Sequence, residues 1–209
     1  SMRWSDHNLM WGRPLRSIFA LFNEKKIAFQ FDHLASSDEI IIEQDLTSKS
    51  KKVKNFKDYE SLLKSNNIVL DHKEREKIIL KKINSTLKSK DYKEILNLKL
   101  LEEVVNIVED PNILLVSFNK DYLKIPKEII ISTLEKHQRY FPIFDKRDRL
   151  TNYFFVVANK KDEKRLITEG NKRVVEARLA DAKFFWDKDR SKNLIKQIAN
   201  LKSVTFYEK

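Results

Sequence analysis

Cysteine is absent from the 209 residues, and glycine (2) and proline (4) are scarce. Without thiols the chain has no disulfide, no thiolate metal site and no cysteine nucleophile. Gly12 and Gly170 stand far apart and cannot build a glycine-rich phosphate loop. Histidine is thin as well. His7, His33, His72 and His137 show no His-x3-His spacing and no accompanying carboxylate set, so no metal site is expected. No run approaches the roughly 20 apolar residues that a membrane helix needs. No secretory pattern opens the chain. A reducing cytoplasm and no membrane partner are the expectations.

What is present is charge. Charged residues make up 35% against 41% hydrophobic, the balance of a soluble globular protein large enough to bury a core. The net charge is +11, which points to a polyanionic partner, nucleic acid first. The excess is concentrated. Residues 47–100 hold 15 Lys/Arg against 7 Asp/Glu, a net of +8. Richness in Lys, Ile and Asn also fits an AT-rich genome, which accounts for part of that excess. Met2 need not be a native start, and Phe206-Tyr207-Glu208-Lys209 carries no terminal signal, so an internal segment of a longer chain is expected.

Ser17 to Phe22 has the length and aromatic content of a strand, Asn23-Glu24-Lys25 reads as a turn, and Ile27 to Phe31 as the return strand. Glu39 to Ile42 is a further short strand. The polar, lysine-rich stretch Leu46 to Asn55 reads as a loop. Helical spacing of Tyr59, Leu62 and Leu63 predicts a helix over Lys57–Ser65. Asp71 caps a second helix, with Glu74 three residues on. In it Ile79, Leu80, Ile83 and Leu87 share one face, and Lys73, Lys77, Lys81 and Lys88 form a stripe on another. A third helix, Glu94–Glu109, would bury Leu96, Leu100, Leu101, Val104, Val105 and Val108 and end at Pro111. The apolar run Ile113–Phe118 predicts a strand. Pro126 opens a helix to about Lys136. Arg139–Phe144 and Leu150–Val157 predict strands around the hairpin turn Asp145-Lys146-Arg147-Asp148, followed by a helix over Gly170–Asp187 and an amphipathic stretch Asn193–Leu201.

The fold class is therefore α/β (α+β): a mixed-sheet body over 2–159, a basic helical insertion near 57–110, and a helical segment over 160–209 leading toward a further domain.

Six strings, taken in order, carry a resemblance. They are Met2-Arg3-Trp4 with Arg13-Pro14; Leu101-Glu102-Glu103-Val104 through Val108-Glu109-Asp110-Pro111; Ile125-Pro126-Lys127-Glu128 with Lys136-His137-Gln138-Arg139-Tyr140-Phe141-Pro142; Phe155-Val156-Val157-Ala158-Asn159; Gly170-Asn171-Lys172-Arg173-Val174-Val175 with Arg178-Leu179-Ala180-Asp181-Ala182 and Phe184-Phe185; and Leu201-Lys202-Ser203-Val204. Together the sequence resembles an internal stretch of the β subunit of bacterial α2β2 glycyl-tRNA synthetases. The resemblance implies a part in class II glycine–tRNA ligation. The α subunit would hold the glycine, ATP and magnesium chemistry, leaving no cofactor in this stretch. The partners implied are the α subunit, glycine tRNA and the remaining β-subunit domains. It also implies kinship of this body to the editing-type domain of the phenylalanyl-tRNA synthetase β subunit. One family string, Gly-His-Arg-Phe, is missing between Leu34 and Asn55, where Thr47-Ser48-Lys49-Ser50 stands.

Against that background the lysine stripe Lys73, Lys77, Lys81 and Lys88 either tracks phosphates or is a solvated helix face. His137, Gln138 and Arg139, at a helix-to-strand junction, either meet RNA or satisfy backbone groups at a tight turn. Tyr59, Tyr92 and Tyr122 either stack on bases or join the core. Arg178 and Asp181, three apart, read as a structural ion pair. Asp181 lacks the second acid or metal ligand that catalysis would need, so no catalytic residue is assigned. Asp71-His72 reads as a cap and an exposed neighbour. The leading function is tRNA binding and scaffolding within the ligase. The alternatives are a hydrolytic editing domain, disfavoured because little is smaller than glycine for a sieve to remove, and a purely structural platform.

Overall fold

The computed structural model describes residues 2–4, 6–44, 47–93 and 97–198, and the chain divides into two units, Ser1–Leu70 and Asp71–Lys209. The first unit is made of short pairings. Strands β1 (Met2–Arg3) and β2 (Met10–Trp11) pair antiparallel. The expected strand over Ser17–Phe22 is split at Ala20 into β3 (Ile18–Phe19) and β4 (Leu21–Phe22). On either side of that residue the backbone finds different partners. The Ala20 N–H donates to the Ser37 carbonyl at 3.0 Å, and the Ala20 carbonyl accepts from the Ile27 N–H at 3.1 Å. β4 turns back onto β5 (Lys25–Lys26) through Asn23 and Glu24, both left-handed (φ 45° and 63°), the two-residue turn that matches strand twist. β6 (Gln30–Phe31) and β3 flank β7 (Leu34–Ser37), antiparallel and parallel respectively.

β8 (Glu39–Gln44) pairs with β9 (Thr47–Lys52) over six positions, so the lysine-rich stretch expected to be a loop is largely a strand. Ladder bonds are made by the backbone. A Ser/Lys sequence with no apolar face gives no period-two signal to reveal them. Helix α1 (Phe56–Ser65) follows, its first turn held by Asn55 Oδ1 accepting from the Asp58 N–H at 2.9 Å.

The second unit starts with α2 (His72–Lys90), whose N-terminus is capped by Asp71 Oδ1 accepting from the Lys73 N–H at 2.8 Å. After β10 (Tyr92–Lys93) comes α3 (Leu98–Ile107), which begins after its Asn97 cap and ends at the extended Val108, short of the expected Glu109; residues 94–96, including Leu96, lie outside the described set. Then follow β11 (Asn112–Ser117), a 3-10 turn (Lys120–Lys124), α4 (Lys127–Ser132) with a π turn (Thr133–His137), β12 (Phe141–Asp145), β13 (Leu150–Ala158), α5 (Leu166–Arg190) and α6 (Leu194–Gln197). The strands form one antiparallel sheet in the order β10-β12-β13-β11.

Side chains alternate across this sheet, and both faces are buried. Phe141, Ile143 and Phe155 point into a cluster with Ile79, Ile83 and Leu87 of α2 and Leu100, Leu101, Val104 and Val105 of α3. Their neighbours Val116, Phe154 and Val156 face a second cluster with Ile130, Leu134 and, from α5, Val175 and Leu179. The result is a helix–sheet–helix sandwich. It differs from the expected layout. The helices near 57–110 do not form one insertion, since α1 belongs to the first unit and α2 and α3 cover a sheet face of the second. The helical segment expected over 160–209 also packs into this unit, since α5 adds Val175 and Leu179 to the second core. Helices whose apolar stripes match an exposed sheet face are driven onto it by burial.

Candidate nucleic-acid interface

The basic stripe is held in place by the core beneath it. Ile79, Ile83 and Leu87 recur every four residues and lock the rotation of α2. At 100° per residue, Lys73, Lys77, Lys81 and Lys88 fall within about 80° of one another, centred roughly 120° from that apolar line. All four are exposed, and none has an acidic partner at ion-pair distance among the described residues. Successive lysines at four-residue spacing stand about 6 Å apart along the axis. The stripe is a row of uncompensated positive charges on a rigid support. Asp71 below it is held under the usual carboxylate range, first by the Lys73 N–H. His72 beside it is exposed, as expected for a cap's neighbour.

The His137-Gln138-Arg139 junction is built otherwise. The π turn leaves carbonyls at its end, and Arg139, left-handed at φ 59°, folds back to donate from Nη1 to the carbonyls of Glu135 (3.3 Å) and Lys136. Its Nε meets Glu103 Oε2 at 2.5 Å. The tight junction is therefore closed by Arg139. The His137 ring is exposed, and neither it nor the Gln138 amide makes a side-chain hydrogen bond among the described residues.

Arg178 and Asp181 share the outer side of α5, but no ion pair joins them in the structure. Both are exposed, and an exposed pair of this kind gains too little to fix two side chains. Arg178 acts instead on Tyr140: burial pushes the Tyr140 phenol up and the guanidinium partly offsets this. The three tyrosines considered for base stacking are engaged within the protein. Tyr59 stacks with Phe19 at 5.7 Å, Tyr92 lies 5.8 Å from Tyr153, and Tyr122 packs against the Phe154 cluster.

The strings that carry the resemblance meet in space. Glu103 pairs with Arg139. Asn159 Oδ1 accepts from the N–H groups of Glu109 (2.7 Å) and Asp110 (2.9 Å). Tyr140 donates its hydroxyl proton to Asn171 Oδ1, and the Asn171 amide donates to the Ile167 carbonyl at 2.7 Å. Spacing along the chain gave no sign of these pairs.

Sequence reasoning missed two features of the first unit. Lys49 and Lys51, exposed and two apart on β9, project from one side of a strand that was read as a loop. His7 and His33 are not scattered but stacked, 3.6 Å between ring centroids, beside Asp32. No spacing motif links residues that far apart in sequence.

The second unit is thus a mixed α/β sandwich that carries a row of exposed lysines on α2. Family comparison narrows this. The model of the glycyl-tRNA synthetase beta subunit family matches residues 1–209, and the chain belongs to that family. It is 36% identical over 210 residues to the glycine–tRNA ligase beta subunit of Rickettsia canadensis (strain McKiel), covering 100% of this chain and 32% of that one. It is 34% identical over 209 residues to the corresponding subunit of Thermodesulfovibrio yellowstonii (strain ATCC 51303 / DSM 11347 / YP87), covering 100% and 31%. The chain thus spans about a third of the length of the curated relatives it matches. No helix among the described residues is long and apolar enough to cross a membrane.

Proposed function

We propose that this chain supports ATP-dependent ligation of glycine to tRNA as part of a β subunit, working in the cytoplasm by binding tRNA and scaffolding the α subunit and the remaining β domains. Glycine, ATP and magnesium chemistry would reside in the α subunit. The observation that carries the tRNA role is the exposed, unpaired stripe Lys73, Lys77, Lys81 and Lys88 on α2, fixed by the buried Ile79, Ile83 and Leu87. A row of lysines releases counterions from phosphates and gives salt-dependent binding. On this reading the body over residues 2–159 is the counterpart of the editing-type domain of the phenylalanyl enzyme, a kinship implied by the resemblance alone.

The test is binding of the chain to glycine tRNA and to a non-cognate tRNA across a salt series, against a variant with all four stripe lysines changed to glutamine. Loss of affinity and a salt slope shallower by about one for each lysine that met a phosphate are expected. Undiminished binding by the quadruple variant would remove the stripe from the interface. Absence of binding by the parent chain at low salt would leave scaffolding as the function.

A further inference from the structure

His7, Asp32 and His33 come from two loops of the first unit that the backbone holds together. His7 lies in the loop between β1 and β2. Arg3 closes that loop, donating from Nε to the His7 carbonyl at 3.0 Å and from Nη2 to Asn8 Oδ1 at 3.2 Å. Asp32 and His33 form the two-residue turn between β6 and β7, with Phe31 opposite Leu34 and Asp32 left-handed at φ 50°. The two loops are tied by Asp32 Oδ2, which accepts from the Leu9 N–H at 3.1 Å and also lies 3.2 Å from His33 Nδ1. Gln30 Nε2 braces the turn by donating to the Asp32 carbonyl at 3.0 Å. Each of the three side chains then offers one ligand atom, all within 4.8 Å of one another, and the imidazole rings stack nearly parallel at 10°.

We infer that this triad is a divalent-metal site for a zinc-class ion, with His7 and His33 as nitrogen ligands and Asp32 as the oxygen ligand. Two imidazoles and one carboxylate suit zinc, nickel or copper, and supply too few oxygens for calcium or magnesium. Metal–ligand bonds of about 2.0–2.2 Å place neighbouring ligand atoms roughly 3.4 Å apart. The Asp32–His33 pair already stands at that spacing. His7, whose ligand atom lies within 4.8 Å of both, closes the remaining gap and tilts from the stack by a χ rotation. Water would complete the coordination. The ion would join the β1–β2 loop to the β6–β7 turn, where one backbone-to-carboxylate hydrogen bond now does so.

The test uses the whole chain, stripped of metal and titrated with zinc by calorimetry, with thermal unfolding followed in parallel. One equivalent is expected to bind and to raise Tm by mass action. His7→Ala and His33→Ala each weaken binding on the order of tenfold or more and reduce the Tm rise at the same zinc concentration. The double variant His72→Ala/His137→Ala binds as the parent does. A second readout needs no variant: zinc protects His7 and His33, but not His72 and His137, from acylation by diethyl pyrocarbonate, read by mass spectrometry. Absence of saturable binding, binding unchanged in the His7 and His33 variants, or equal modification of all four histidines overturns the site.

Discussion

The two units spend their apolar residues in opposite ways. Among the described residues, the second unit buries most of its large hydrophobics between Ile79 and Leu179 on both faces of a four-stranded sheet, with Leu98, Ile107 and Leu166 among those left exposed. Of its described hydrophobics the first buries only Ile42, Val53 and Leu63, while Trp11, Phe22, Phe29, Phe31 and Phe56 stay exposed. Strand length follows. Where side chains on both faces gain from burial, β13 runs nine residues. Where few do, most pairings in Ser1–Leu70 stop after two, and turns and side-chain ties set their register. Regular structure persists as far as burial rewards it.

The sharpest way to break this contrast is a matched pair of truncations. Phe154 is 0% exposed and Phe31 is 49% exposed. Phe154→Ala is expected to cost about 3–5 kcal/mol of unfolding free energy, and Phe31→Ala to stay within about 0.5 kcal/mol, in urea melts. Similar losses for both would mean that Phe31 is as firmly packed as the second core. A smaller effect is expected from Tyr140→Phe, which removes one part-buried hydrogen bond to Asn171 and should cost about 0.5–1.5 kcal/mol, with the fold retained. An unchanged melt would remove that contact from the account of the second unit.

The smallest effect concerns acid. For Asp162, burial raises the carboxyl, but the Thr168 hydroxyl and the N–H groups of Ile167 and Thr168 outweigh it and hold it below the ordinary range. A lowered folded value means that the contribution is present above the unfolded pKa near 3.9 and is lost as pH falls through the lower, folded value. Asp162→Asn should therefore lower stability at pH 7 and flatten its decline below about pH 4, read as urea midpoints over a pH series. Parallel curves for parent and variant would count against a role for this cap in acid sensitivity.

Much of the second unit was legible. The Asp71 cap, the apolar faces of α2 and α3, the hairpin at Asp145–Asp148 and the strand at Ile113 all announce themselves by period, cap or turn chemistry. The first unit was harder to read because its ladder is polar. Thr47–Lys52 has strand hydrogen bonds without a strand pattern, and Ser17–Phe22 is one apolar run serving two sheets. The lysine stripe could be read because helical period places it. The role of Arg139 could not, since its partners are carbonyls and a glutamate brought close only by folding. The same holds for His7 and His33, which meet through turns rather than through any repeat.

The sheet order β10-β12-β13-β11 has a consequence for synthesis. β10 and β11 are made early, yet each has its partner later in the chain, in β12 or β13. On the ribosome no pair of this sheet can close until residue 141 has emerged, and β11 must wait for β13. Through that interval the apolar strand Ile113–Val116 has only helices for cover. The nascent chain passes through a stage in which one exposed strand edge is open to mispairing, and closure of the last hairpin ends it.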